Sequence, residues 1–357
     1  MKPTIPSLDS FDRKLLDSLQ TAIPISARPF ADVGADCGLN EENVIARLQK
    51  LKETKVLRQI SAIFDTRSLG YASSLVAAKI DSEILDHAVE VISSHPGVSH
   101  NYLRNHDFNL WYTIAVSPMS SLGLNETVDL LHQQSGAKAT RLLPTLKLFK
   151  IGVRFDLGNE SQAGKKESKG YSEAHRRNGE PLTADEIEFV RAMQQDLPLL
   201  PNPFGQIADT LAFTLGELRE MHDAFLANGR MRRFAAVLHH RKAGFSANAM
   251  GVWAAPGDDD ELHRLGSAMA EFRAVSHCYR RPSYHDWPYN LFTMVHGKSE
   301  EECEQSLDAI ASATGLTDRM ALYSTREFKK VRVRYFTDEE AEWEKAQINL
   351  VETKPAR

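Results

Sequence analysis

Two short runs of the chain place the same three side-chain types in the same alternating order. They are His100-x-Tyr102-x-Arg104 and His277-x-Tyr279-x-Arg281. On an extended strand, successive side chains point to opposite faces, so the members of each row share one face at roughly 7 Å spacing. Imidazole titrates near neutrality, phenol donates a hydrogen bond, and guanidinium is a forked cation matched to carboxylates. Together they suit a polyanionic substrate that takes up protons. The competing reading is the polar outer face of an amphipathic strand, and the recurrence of the row favours chemistry.

Each row runs into an unusual loop, Asn105-His106-Asp107 in one case and Pro282-Ser283-Tyr284-His285-Asp286-Trp287-Pro288 in the other. Loops at strand ends often carry sites, which makes His106 and His285 secondary candidates. Trp111, Phe292 and Trp287 read as core or pocket wall. Arg28, beside Pro29-Phe30, and the pair Lys147 and Lys150 are further cationic candidates, although solvation is the default for lysine.

The elements that hold these rows are written twice. Ile23-Pro24-Ile25 and Pro29-Phe30 recur at a constant offset as Leu197-Pro198-Leu199 and Pro203-Phe204. The same offset carries Arg58 to Arg232, Ala62 to Ala236, Gly70 to Gly244 and Tyr71 to Phe245. Val98-Ser99-His100 then matches Val275-Ser276-His277, and Phe108-Asn109-Leu110 matches Tyr289-Asn290-Leu291. A tandem duplication accounts for this series. Residues 158–180 are polar and rich in Gly, Ser and Lys, the composition of a flexible tether.

Within each copy two parts are expected. Phe11, Leu15, Leu16 and Leu19 share a helical face, a second short helix stops at Gly38, and Asn40 caps a third with Val44, Leu48 and Leu51 as its apolar stripe. Thr214 with Glu217 forms a capping box at the matching start in the second copy. Three short helices with tight turns read as helix-turn-helix. The following pattern is β-α-β-β-α-β, with strands over 73–80, 98–104, 109–116 and 140–151, and in the second copy over 250–255, 275–281, 290–296 and 320–334. The fold class is therefore α+β, a duplicated helix-turn-helix plus ferredoxin-like unit. The expected boundaries are 1–70, 71–157, a linker over 158–180, then 181–244, 245–340 and a tail over 341–357.

Composition narrows the classes. Apolar residues at 42% and charged residues at 25% are ordinary globular values. The N-terminal stretch lacks a signal-peptide core and no apolar run reaches about 18 residues, so a soluble cytoplasmic protein without membrane contact is expected. Cys37, Cys278 and Cys303 form no C-x-x-C pair, so no metal site is signalled. A net charge of -5 gives no global pull on nucleic acid. The third helix of copy one carries Arg47, Lys50, Lys52 and Lys55, which alone could touch phosphate, but its counterpart pairs Arg219 with Glu217, Glu220 and Asp223.

Helix-turn-helix followed by a ferredoxin-like domain resembles the Lrp/AsnC regulators, and more closely their offshoot, the siroheme decarboxylases. The motifs are Arg28-Pro29-Phe30, the run from Leu57 to Tyr71, and His100-Asn101-Tyr102-Leu103-Arg104 leading into Asn109-Leu110-Trp111. Copy two resembles the partner subunit type through His277-Cys278-Tyr279-Arg280-Arg281-Pro282 and Trp287-Pro288-Tyr289-Asn290-Leu291-Phe292, and departs from copy one where Asn202 replaces Arg28. The resemblance implies a fusion of the two subunit types that decarboxylates the C12 and C18 acetates of siroheme to 12,18-didecarboxysiroheme, for heme d1 or an alternative heme route. It implies no organic cofactor, since iron enters with the substrate. It also implies proton delivery by His100 or His277, or axial ligation of the siroheme iron by one of them. Tyr102 and Tyr279 would donate hydrogen bonds, and Arg104, Arg280, Arg281, Arg28, His106, His285, Lys147, Lys150 and Trp111 would line the substrate site. Expected partners are siroheme and its products, other tetrapyrrole-pathway enzymes and a second copy of the chain, without nucleic acid. The alternatives are a tetrapyrrole-responsive DNA-binding regulator and a non-catalytic carrier.

Overall fold

A computed structural model describes residues 8–151, 181–238 and 247–352. The tether at 158–180 and the repeat pair Gly244 and Phe245 lie outside the described residues. The chain divides into two compact units, the first built from 1–71, 175–242 and 334–337, the second from 72–174, 243–333 and 338–357.

The first unit holds both three-helix pieces: α1 (Ser10–Thr21), α2 (Pro29–Cys37) and α3 (Glu41–Glu53), then α6 (Ala184–Met193), α7 (Pro203–Thr210) and α8 (Leu215–Ala227). Side chains satisfy the orphan amides at the helix starts. Asn40 accepts from Asn43 N, and Thr214 and Glu217 form a reciprocal box. Gly38 at φ 74° closes α2 in the left-handed region that glycine enters without strain. Leu15, Leu19, Phe30, Val44 and Leu48 are fully buried in one piece, and Phe189, Phe204, Leu218 and Phe225 in the other. Each such side chain contributes roughly 1.5–3 kcal/mol by leaving water. After each piece comes one strand, β1 (Leu57–Phe64) or β7 (Met231–Leu238), and the two pair antiparallel with Ile60 opposite Ala236.

The second unit carries the two ferredoxin-like halves. The first runs β2 (Ala72–Lys79), α4 (Leu85–Ser94), β3 (Val98–Arg104), β4 (Leu110–Val116), α5 (Gly123–Ser135) and β5 (Ala139–Pro144), in the sheet order β5-β2-β4-β3. The second runs β8 (Ala247–Trp253), α9 (Asp259–Ala270), β9 (Val275–Arg280), β10 (Leu291–Gly297), α10 (Glu300–Thr314) and β11 (Arg319–Lys330), in the order β11-β8-β10-β9. The α+β duplication expected from the sequence is the architecture found.

The last strand of copy one differs from the expectation. It breaks after Pro144, a residue with no N–H to continue a ladder. The continuation, β6 (Lys147–Ile151), leaves its own half and pairs with β9. β11 stays continuous and does the reciprocal thing, pairing with β8 from Arg319 to Tyr323 and with β3 from Ser324 to Lys330. Each half thus finishes the other's sheet. The stretch counted as a tail carries a helix, α11 (Asp338–Glu352), whose Trp343 joins the core under the first half's helices.

Both faces of most of these strands are covered, whereas β11 is exposed from Ser324 to Glu327. Helices α4 and α5 bury one face of the first sheet, and α9 and α10 one face of the second. Ala77, Phe108, Trp111 and Leu143 of the first half meet Met250, Val252, Trp287, Phe292 and Leu322 of the second in a third cluster. Strands enclosed in this way tolerate polar side chains only where partners meet them.

Candidate active site

The two rows lie on the face that looks toward this third cluster. Tyr102 is directly opposite Trp111 in the ladder and Tyr279 is opposite Phe292, and both of those aromatics belong to the shared cluster. The rows therefore do not form a solvated outer face: Arg104 is 7% exposed and Arg281 8%.

A β-bulge sits at the head of each row. His100 pairs with Thr113 and Val98 with Ile114, which leaves Ser99 as the extra residue; His277 pairs with Met294 and Val275 with Val295, which leaves Ser276. A bulge turns two successive side chains onto nearly the same face. Hence Ser99 Oγ reaches His100 Nδ1 at 2.9 Å and Thr113 Oγ1 at 2.8 Å. Ser276 Oγ reaches His277 Nδ1 at 2.8 Å and, further along β10, His296 Nε2 at 2.7 Å. Both serines, Thr113 and His296 were missed in the sequence. The signal that could have found the serines is the repeated Val-Ser-His.

The tyrosine and arginine of each row stack. The ring centroids of His100 and Tyr102 are 6.0 Å apart, as are those of His277 and Tyr279. The Arg104 guanidinium lies 5.8 Å from the Tyr102 ring centre, and that of Arg281 4.7 Å from Tyr279. Arg104 donates to the Leu322 carbonyl at 2.8 Å, and Arg281 likewise donates to the Leu143 carbonyl. Burial lowers the Arg104 pKa to about 10, and nearby Tyr102 opposes that shift. Among the described residues Arg104 has no carboxylate partner and its Nε has no hydrogen-bond partner.

The other candidates scatter. Trp111 is buried against Trp287 at 5.1 Å and donates to the Phe108 carbonyl at 2.6 Å. His106 stacks on Phe108, meets Trp287 edge-on, and is held below the ordinary histidine pKa mainly by burial. His285 is exposed on its loop. Arg280 projects to the opposite face of β9 and pairs with Asp259 of α9 at 2.7 Å. Lys150 also turns that way, donating to the Phe272 carbonyl at 2.9 Å, and Lys147 lies opposite Arg280 in the ladder. Arg28 belongs to the first unit, where it pairs with Glu41 and is largely exposed. A cavity of about 490 Å³ between α5 and β5 is lined by Asp129, His132, Lys138 and Arg141 and contains no member of either row.

Comparison with known proteins matches residues 68–150 and 242–329 to the AsnC-like ligand binding domain, and residues 12–58 to the siroheme decarboxylase NirDL-like HTH domain. A siroheme decarboxylase of Hydrogenobacter thermophilus is 39% identical over 341 residues, 96% of this chain and 99% of that protein. The chain belongs to the siroheme decarboxylase family. A siroheme decarboxylase alpha subunit of Desulfovibrio desulfuricans is 41% identical over 157 residues, 89% of its own length but 44% of this chain. The chain is accordingly a single-chain, NirDL-type fusion of the two subunit types on Lrp/AsnC-like domains, and a carboxy-lyase. A crystal structure of the siroheme decarboxylase NirDL in co-complex with iron-uroporphyrin III analogue superposes with a TM-score of 0.76 at 34% identity, covering 96% of this chain and all of that one.

Proposed function

We propose that this chain removes carbon dioxide from the C12 and C18 acetate side chains of siroheme, yielding 12,18-didecarboxysiroheme for heme d1 or for an alternative heme route. One observation carries this reading. Two equivalent His-Tyr-Arg rows look into the interior shared by the two halves, in a fold whose NirDL relative binds an iron-uroporphyrin III analogue.

Loss of carbon dioxide leaves an electron pair on the former methylene carbon, which needs one proton to become a methyl group. His100 and His277 deliver that proton, imidazole being well matched to neutral pH. A buried guanidinium without a carboxylate of its own is costly, and Arg104 recovers that cost when a substrate acetate or propionate arrives. Tyr102 and Tyr279, each over its arginine, donate hydrogen bonds to the same carboxylates. Either histidine could instead hold the siroheme iron on the axial side, which a shift of the siroheme absorption bands in His100→Ala or His277→Ala would reveal.

The helix-turn-helix pieces favour a DNA-reading role only when taken alone. Arg47 is tied to Asp9 and Asp12, and Lys52 to Asp196, so the basic side of α3 is partly neutralised within the fold. The test is anaerobic incubation with siroheme followed by mass spectrometry. Loss of two carboxyl groups, abolished in His100→Ala or His277→Ala, supports the enzyme reading. Unchanged siroheme together with salt-sensitive operator binding would replace it with a regulator.

A further inference from the structure

The two histidines are not wired alike. At His100 the hydrogen-bonded chain ends on a hydroxyl, since Ser99 Oγ passes to Thr113 Oγ1 at 2.8 Å. At His277 it reaches a second imidazole, His296, 2.7 Å from Ser276 Oγ. Backbone pairing identifies the counterpart of His296. His296 N donates to the Ala274 carbonyl as Ala115 N donates to the Gly97 carbonyl, so the first half has Ala115 where the second has His296. Among the described residues, the serine beside His100 thus meets a hydroxyl and the serine beside His277 a titratable ring.

Every acetate lost consumes one proton. The bond between the methylene carbon and the carboxylate breaks, carbon dioxide leaves, and the electron pair left on carbon takes the proton that makes the methyl group. The donor must be recharged before it can act again, and siroheme presents two acetates. We propose that His296 and Ser276 form a proton relay that recharges His277, so that the second half supplies protons repeatedly. His277 gives its proton on the substrate side. As that proton leaves Nε2, Ser276 Oγ passes one to His277 Nδ1 and takes one from His296 Nε2; His296 takes its replacement from water at Nδ1, and a turn of each ring returns its N–H to the donating side. No oxidant or reductant enters. Burial lowers the His296 pKa, and the charge of Lys330 on β11 lowers it further. The ring is therefore suited to passing protons rather than storing one.

This inference rests on the reading of His277 as proton donor, and it makes His296 a positioning and relay residue rather than one that touches substrate. The test compares wild type, Ser276→Ala, His296→Gln and His296→Ala in steady-state decarboxylation across pH 6–9, in water and in deuterium oxide. The relay predicts that kcat falls by about 10- to 100-fold in all three variants with KM within about twofold. It also predicts a larger solvent isotope effect and partial recovery of His296→Ala by added imidazole. A wild-type kcat and pH profile in His296→Gln, or a loss that imidazole leaves untouched, overturns the relay. If His296→Gln does not fold, Ser276→Ala decides by the same measures. Failure of wild type to release carbon dioxide would sink the decarboxylase reading itself, a result separable from any of these.

Discussion

Arg104 reaches out of its own half to donate 2.8 Å to the carbonyl of Leu322, and Arg281 returns the same bond to Leu143. Two guanidiniums that face the proposed substrate site are also cross-braces between the halves.

Removing one brace tests both roles. Arg104→Ala leaves the Leu322 carbonyl buried without its charged donor, a loss of about 1.5–3 kcal/mol, to be read from the urea midpoint. Arg104→Lys restores charge but not the fork, and it should recover stability better than KM for siroheme. Equal recovery of both would mean that the fork does no recognition.

Gly266 on α9 makes room for Phe149 of β6, since a Cβ there would come 2.3 Å from the ring. Gly266→Ala improves helix propensity by roughly 0.8–1.0 kcal/mol yet must push Phe149 out. A net destabilisation of about 1–3 kcal/mol is expected, with faster hydrogen exchange along β6. A stabilised variant would show that β6 yields without cost.

Trp287 is fully buried among Phe108, Trp111, Tyr289 and Phe292, and its indole nitrogen has no hydrogen-bond partner among the described residues. Trp287→Phe removes that unsatisfied donor while keeping a ring, so the stability change should stay within about 1.5 kcal/mol. Trp287→Ala should cost about 3–5 kcal/mol. Thermal melts of the two variants side by side check the contrast.

Helix α11 should be held best in weakly acid solution, between the ranges in which Glu340 and His95 lose their contributions. Glu340 accepts from Ser117 N at 2.9 Å, and burial, with Glu344 close by, raises its pKa to about 7. A raised folded pKa gives stability that is present at low pH and lost as pH climbs through about 7. His95 packs against Trp343 at 4.5 Å, and burial first, then Lys329, lowers its pKa to about 4. Its contribution is present above the ordinary histidine value of 6.5 and is lost as pH falls through about 4. Glu340→Gln should therefore raise the melting temperature at pH 8.5 and leave it unchanged at pH 5; the opposite pattern would refute the assignment.

The sequence was most legible where short-range rules decide. Asn40 and Thr214 announced helix starts, Gly38 announced a stop, and strand alternation put His100, Tyr102 and Arg104 on one face. That the face is interior was not legible, because alternation does not say which side meets another sheet. The bulges at Ser99 and Ser276 depend on register, which only the paired strands fix. Arg280 neighbours Arg281 in the second row, but a single step along a strand sends a side chain to the other face, and Lys150, named for its charge, turns to that face as well. Helix α11 was passed over because its charged sequence shows one large apolar residue in its first turns, Trp343, and that residue needs a partner from another half of the fold.

The exchange of β6 and β11 has a consequence for the nascent chain. β3, which bears His100, has one neighbour in β4, and its other neighbour is the far end of β11. On the ribosome the first half is therefore complete in sequence, yet exposes a raw strand edge until most of the remaining chain has been made. Such an edge invites pairing with the wrong partner, and contacts so distant along the chain form slowly. Joining the halves in one polypeptide keeps the correct strand at high local concentration while that edge waits.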